Sequence, residues 1–89
     1  MSARWHYPPE LVDALASFGV APRSHTPPAL VREQVDDLYK RELRALRHRL
    51  LIGEFDRPSY VDRIVALRKQ YWMLTLPLAA WERICQAPS

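Results

Sequence analysis

The longest periodic signal in this chain runs from Pro28 to Ile52, and it decides what the chain can fold into. At 100° per residue, Val31, Val35, Leu38, Tyr39, Leu43, Leu46 and Leu50 share a sector of about 140°. The opposite side collects Asp37, Lys40, Arg41, Arg44, Arg47 and His48. Acid precedes base at i,i+4 twice, Asp36 before Lys40 and Asp37 before Arg41, each pair favouring the helix by about 0.2–0.5 kcal/mol. Glu42 and Arg49 fall inside or beside the apolar sector, which narrows the stripe there or marks a polar contact to a partner. One long amphipathic helix is therefore expected, and it must find a partner for its apolar side.

The partner follows at once. Gly53 stops the long helix, and Glu54-Phe55-Asp56-Arg57-Pro58 is a tight connection, with Asp56 as the expected cap and Pro58 in the first turn. A third helix is expected from about Arg57 to Leu74. Tyr60, Ile64, Leu67, Tyr71 and Leu74 form its central stripe, and Val61, Val65 and Trp72 widen it on one flank. So short a connection makes the two helices antiparallel. The expected fold is all-α: an antiparallel helical hairpin, about 28–52 and 57–74, flanked by a short N-terminal and a short C-terminal helix.

Proline marks those flanking helices. Pro8-Pro9-Glu10-Leu11-Val12 returns as Pro27-Pro28-Ala29-Leu30-Val31, and both phrases read as helix starts. The first helix is expected from about Pro9 to Phe18, closed by Gly19, with Thr26 capping the long helix. Thr75 is the expected cap of the last helix, which has Pro77 in its first turn and carries Leu78, Trp81, Ile84 and Cys85. Residues 1–8 form an N-terminal arm and 87–89 a frayed tail. No segment alternates with period two long enough to make a strand.

The stretch from Leu50 to Leu67 resembles the hairpin of the SHOCT module, a short helical domain with a glycine turn. Gly53, Phe55, Asp56 and Tyr60 stand where that pattern places them. Ile64 stands where the module usually has a lysine. The resemblance implies a glycine-turned hairpin, and it covers about a fifth of the chain.

Size limits what such a chain does. At 89 residues it is expected to be one domain, 1–89, exposing roughly 5,400 Å² when folded. Two Gly leave little material for a phosphate-cradling loop, and one Cys cannot staple the domain. No apolar run is long enough to span a membrane, and no secretory signal opens the chain, so a cytoplasmic location is expected. His6, His25 and His48 lie in three segments without ligand spacing, so no metal and no cofactor are expected. Cys85 reads as a buried, inert thiol near the C-terminal end of a helix, which disfavours a thiolate. Glu33, Asp36 and Asp37 read as structural helix charge. No nucleophile–base pair is legible, so no catalytic residue is named and the reading leans away from an enzyme.

Two surfaces remain. The basic face, Lys40, Arg41, Arg44, Arg47 and His48, could meet phosphates, but Asp37 interrupts it. The base-reading Asn, Gln, Ser and Thr are missing from it. The aromatic residues Trp5, Tyr7, Tyr71, Trp72 and Trp81 are the candidate partner-binding set, because Trp and Tyr anchor interfaces. The arm bearing Trp5, His6 and Tyr7 either wraps its own domain or docks on another chain. A two-helix hairpin is a poor core by itself, so the expected function is protein–protein interaction. The chain would be an accessory, regulatory or assembly subunit, or a homo-oligomer. Nucleic-acid binding through the basic face is the alternative. An enzyme with a site shared across an oligomer interface comes third.

Overall fold

A computed structural model describes residues 4–87. The parts of the expected arm at 1–3 and of the expected tail at 88–89 lie outside the described residues. The fold is all-helical, with no strand among the described residues: α1 (Pro9–Ala16), α2 (Pro28–Leu51), α3 (Arg57–Gln70), a 3₁₀ turn (Trp72–Thr75) and α4 (Leu78–Ile84).

The hairpin turn follows from its residues. Gly53 adopts φ +81°, the left-handed conformation that side chains with a Cβ resist. With it in place, the Glu54 N–H donates to the Arg49 carbonyl (3.0 Å) and the Gly53 N–H to the Leu50 carbonyl (3.1 Å). These are the paired bonds of a Schellman stop, which satisfy carbonyls the helix end would leave open. Asp56 then accepts from the Ser59 N–H at 3.0 Å and starts α3. The Ser59 backbone and hydroxyl hold the Asp56 carboxyl below its ordinary range.

Several boundaries differ from expectation, each for a local reason. α1 stops at Ala16, and the Val20 N–H returns to the Leu15 carbonyl (3.0 Å). Phe18 is thereby released from the helix and stacks on Tyr71, with ring centres 4.2 Å apart. Thr26 does not cap α2: Pro27 occupies that place, and the Thr26 hydroxyl accepts from the Arg23 N–H instead (3.1 Å). α3 ends at Gln70 rather than Leu74, because the chain tightens into the 3₁₀ turn that carries Met73 into the interior. The Thr75 hydroxyl donates to the Trp72 carbonyl (2.7 Å) and caps nothing. Leu76, the residue before Pro77, is driven to extended backbone, and Pro77 precedes α4 rather than lying inside it.

The core joins Tyr7, Leu11, Leu15, Val31, Val35, Leu67, Tyr71, Met73, Trp81 and Cys85. It is drawn from the two ends of the sequence and lies at one end of the molecule, where α4 packs against the first half of α2. Two polar ties lock it, the first between distant segments and the second within the C-terminal part. Arg32 on α2 donates to the Leu76 carbonyl (3.1 Å) and the Leu74 carbonyl (3.3 Å). The Trp81 indole N–H donates to the Met73 carbonyl at 2.8 Å, in the interior.

Residues 36–66 contribute no buried side chain. They form an arm: the distal part of α2, the turn and most of α3. The molecule is accordingly a rod of 53 × 20 × 16 Å. Its radius of gyration is 15.6 Å, against about 12 Å for a compact chain of this length.

Candidate functional site

The expected partner-binding aromatics separate into two groups. Tyr7, Tyr71 and Trp81 are buried, so they belong to the domain's own interior. Burial, and secondarily the nearby Cys85, pushes the Tyr7 hydroxyl up to about 12. That hydroxyl donates to the Thr26 carbonyl at 2.7 Å. Tyr71 sits between Phe18 and Tyr39, the latter 5.1 Å away ring to ring. Burial, with Glu42 beside it, raises the Tyr71 hydroxyl well above the usual phenol range. Trp5 is half-buried. Trp72 is exposed, at 39%.

The arm of Trp5, His6 and Tyr7 wraps its own domain. The Trp5 N–H donates to the Ser24 carbonyl (2.6 Å), the His6 N–H donates to the Cys85 carbonyl (2.8 Å), and Trp5 forms a bridge with Gln86. A segment bonded on both sides, with its phenol seated, is not a free docking arm. Trp72 is therefore the fully surface member of the set.

The basic face is solvent-facing throughout, as Lys40, Arg41, Arg44, Arg47 and His48 are all exposed. Lys40 pairs with Asp36 at 2.8 Å, which raises its pKa. Asp37 and Arg41 form no ion pair among the described residues. Both instead line an open groove of about 710 Å³ between the α1–α2 loop and α2, together with Phe18, Arg23, His25 and Leu30. No His/Cys/Asp/Glu group among the described residues could hold a metal ion. Burial raises the Cys85 thiol, so it is a poor nucleophile.

Sequence reasoning passed over a different surface. On α3, Val61 and Val65 lie about 40° apart by helical geometry and are exposed, as is Trp72 in the 3₁₀ turn that follows. At the turn, Leu51 and Ile52 are 73% and 59% exposed. The signal was present: α3 carries apolar residues on two sectors, 60/64/67/71 and 61/65/72, and a hairpin supplies one neighbour only.

Local contacts stiffen the end of the arm. The Arg49 guanidinium binds the Glu54 carboxylate (2.6 Å). Arg49 and Arg63 both lie over the Phe55 ring, at 5.1 and 4.7 Å, and Phe55 stacks with Tyr60. Arg49, out of place in an apolar stripe, thus belongs to the turn.

Charge divides on a different line: over the arm itself, residues 36–66, seven Lys/Arg face six Asp/Glu, a net +1, and the excess lies in the outer hairpin. Residues 40–69 hold nine Lys/Arg against four Asp/Glu, a net +5. The rest hold four against six, a net −2.

The chain matches no known family model, no curated protein and no solved structure. The likeness to the SHOCT hairpin is one of local turn chemistry around Gly53 and Asp56. No helix among the described residues is long and apolar enough to cross a membrane.

Proposed function

We propose that this chain is a protein–protein interaction module, an accessory or assembly subunit whose working surface is the arm. One observation carries the reading: residues 36–66 place no side chain in the interior, while Val61, Val65, Leu51 and Ile52 stand in water. Apolar surface of this kind, held on a rigid element, gains from being covered. The core end anchors the arm, and the net +5 of residues 40–69 steers the outer hairpin toward acidic surface.

The double variant Val61→Asp/Val65→Asp tests this. Both residues are exposed, so helicity and melting temperature should hold, while association, with itself or with a partner, should fall by at least about tenfold. Unchanged association in the double variant, or none in the wild type, would overturn the reading.

A second reading rests on the exposed cations of α2. Nucleic acid bound through Arg41, Arg44 and Arg47 would show a steep salt dependence and would be indifferent to Val61→Asp/Val65→Asp. Titrating labelled duplex and single strands at two salt concentrations separates the two.

A further inference from the structure

We propose that the occupant of the arm is a second copy of this chain, laid alongside the first in antiparallel orientation. The proposal rests on the reading of the arm as an interaction surface and adds its partner.

Area is the first ground. The chain exposes 6503 Å². That is about 1,100 Å² more than the roughly 5,400 Å² expected for its mass. A stable interface of ordinary size removes about 800 Å² from each partner. The surplus is of the size that one symmetric dimer covers.

Charge is the second ground, and it sets the direction. Parallel alignment would lay the +5 segment 40–69 against its own copy. Antiparallel alignment lays each +5 segment 40–69 against the remaining, −2 part of the other copy, and a two-fold axis makes that contact twice. Glu10, Asp13, Glu33 and Glu82 supply exposed acid at the core end. Apolar surface is available at both places. Val61 and Val65 stand on the arm, and Val12, Leu30, Leu78 and Ile84 stand on the core end. α2, with 24 residues and a length of about 36 Å, is long enough to reach along the neighbouring rod.

Light scattering and equilibrium sedimentation of the full chain between about 1 and 100 μM test it. A dimer is expected at low salt, weakened about tenfold or more by several hundred millimolar sodium chloride. Val61→Asp/Val65→Asp, with helicity as a folding control, should return it to monomer. Arg44→Glu/Arg47→Glu, on the solvent side of α2, should weaken it without loss of fold. Orientation is read by energy transfer between singly labelled copies, with His48→Cys near the turn and Ala16→Cys at the core end. The buried Cys85 thiol does not compete for label. Efficient transfer in the 48/16 mixture and weak transfer in the 48/48 mixture is the expected result.

Efficient 48/48 transfer would overturn the antiparallel pair. A monomer at every concentration would overturn the dimer. If such a monomer still bound an acidic protein, and Val61→Asp/Val65→Asp abolished that binding, only the identity of the occupant would fall. The arm reading itself fails if Val61→Asp/Val65→Asp leaves every association unchanged or if the wild type associates with nothing.

Discussion

The two ends of this rod are both helical, yet they are held by different kinds of contact. At the core end, residues far apart in sequence meet: Tyr7 with Thr26, Arg32 with Leu74 and Leu76, Phe18 with Tyr71. In the distal arm the polar and aromatic ties are local: Asp56 to Ser59, Arg49 to Glu54, Phe55 to Tyr60, Lys40 to Asp36. Long-range burial gives the first region most of its stability. Turn chemistry and short-range pairs give the second its shape. The difference teaches that a segment can be well defined in conformation while leaving its apolar side uncovered.

Substitutions at the two ends should therefore have unequal consequences. Trp81→Ala has the largest expected effect. It empties the centre of the core and leaves the Met73 carbonyl with only the Leu76 N–H (3.2 Å), at a cost of about 3–5 kcal/mol. Thermal melting by circular dichroism should show the whole fold lost or nearly so. A melt shifted by only a few degrees would mean that the arm carries more stability than its burial implies.

Alkali probes the same end. Tyr7 ionises at about 12 when folded, against 10.0 when free. A folded pKa above the unfolded value stabilises the fold below pH 10, and that contribution is lost as pH rises from 10 toward 12. Tyr71 and Cys85, also raised, act in the same direction. Absorbance of tyrosinate should show Tyr7 and Tyr71 ionising only on cooperative unfolding. Ionisation of either ring while the fold persists would contradict their burial.

Gly53→Ala strikes the arm. Nothing crowds a Cβ there, but φ +81° costs an L-residue about 1–2 kcal/mol. Hydrogen exchange should quicken from Arg49 to Ser59, while the amides of α1 and α4 keep their protection. Equal loss at both ends would show the two regions to be one cooperative unit.

Asp56→Ala is the mildest, acting through the lost cap on the Ser59 N–H. Because the Asp56 pKa is lowered in the folded chain, its contribution is present above the free value near 3.8 and fades as pH falls below it. The difference in stability between wild type and Asp56→Ala should accordingly shrink in acid. A gap that widened at low pH would rule the cap out as its source.

Much of the helical plan was legible because it rests on local signals. The start of α2 at Pro28, the stop at Gly53 and the cap at Asp56 were each readable from a few residues. Other features depend on competition between groups that local reading treats as equivalent. Thr26 and Thr75 both looked like caps, but a proline stood between each hydroxyl and its helix, and other backbone groups took them. α3 was read four residues too long because its apolar stripe continues through Leu74, although the backbone changes helix type at Tyr71. The candidate site was less legible still. Trp and Tyr serve equally as core and as interface, and only the closure of distant segments put Tyr7, Tyr71 and Trp81 inside and left Trp72 outside. Val61 and Val65 were noticed as the flank of a buried stripe. Their exposure follows because, among the described residues, α4 packs on α2 and α2 is the main neighbour of α3.

The grip of Arg32 on the Leu74 and Leu76 carbonyls spans more than forty residues of chain, and it bears on the order of events at the ribosome. Loop closure of this length must wait for its distant partner, whereas helical turns form on the spot. The nascent polypeptide therefore emerges with Leu11, Leu15, Val31 and Val35 already synthesised and still unhoused, until Met73 and Trp81 leave the exit tunnel. A stalled or truncated product ending before Met73 would keep the helix-forming part and lose the means of closing, making it a natural client for chaperones and proteases.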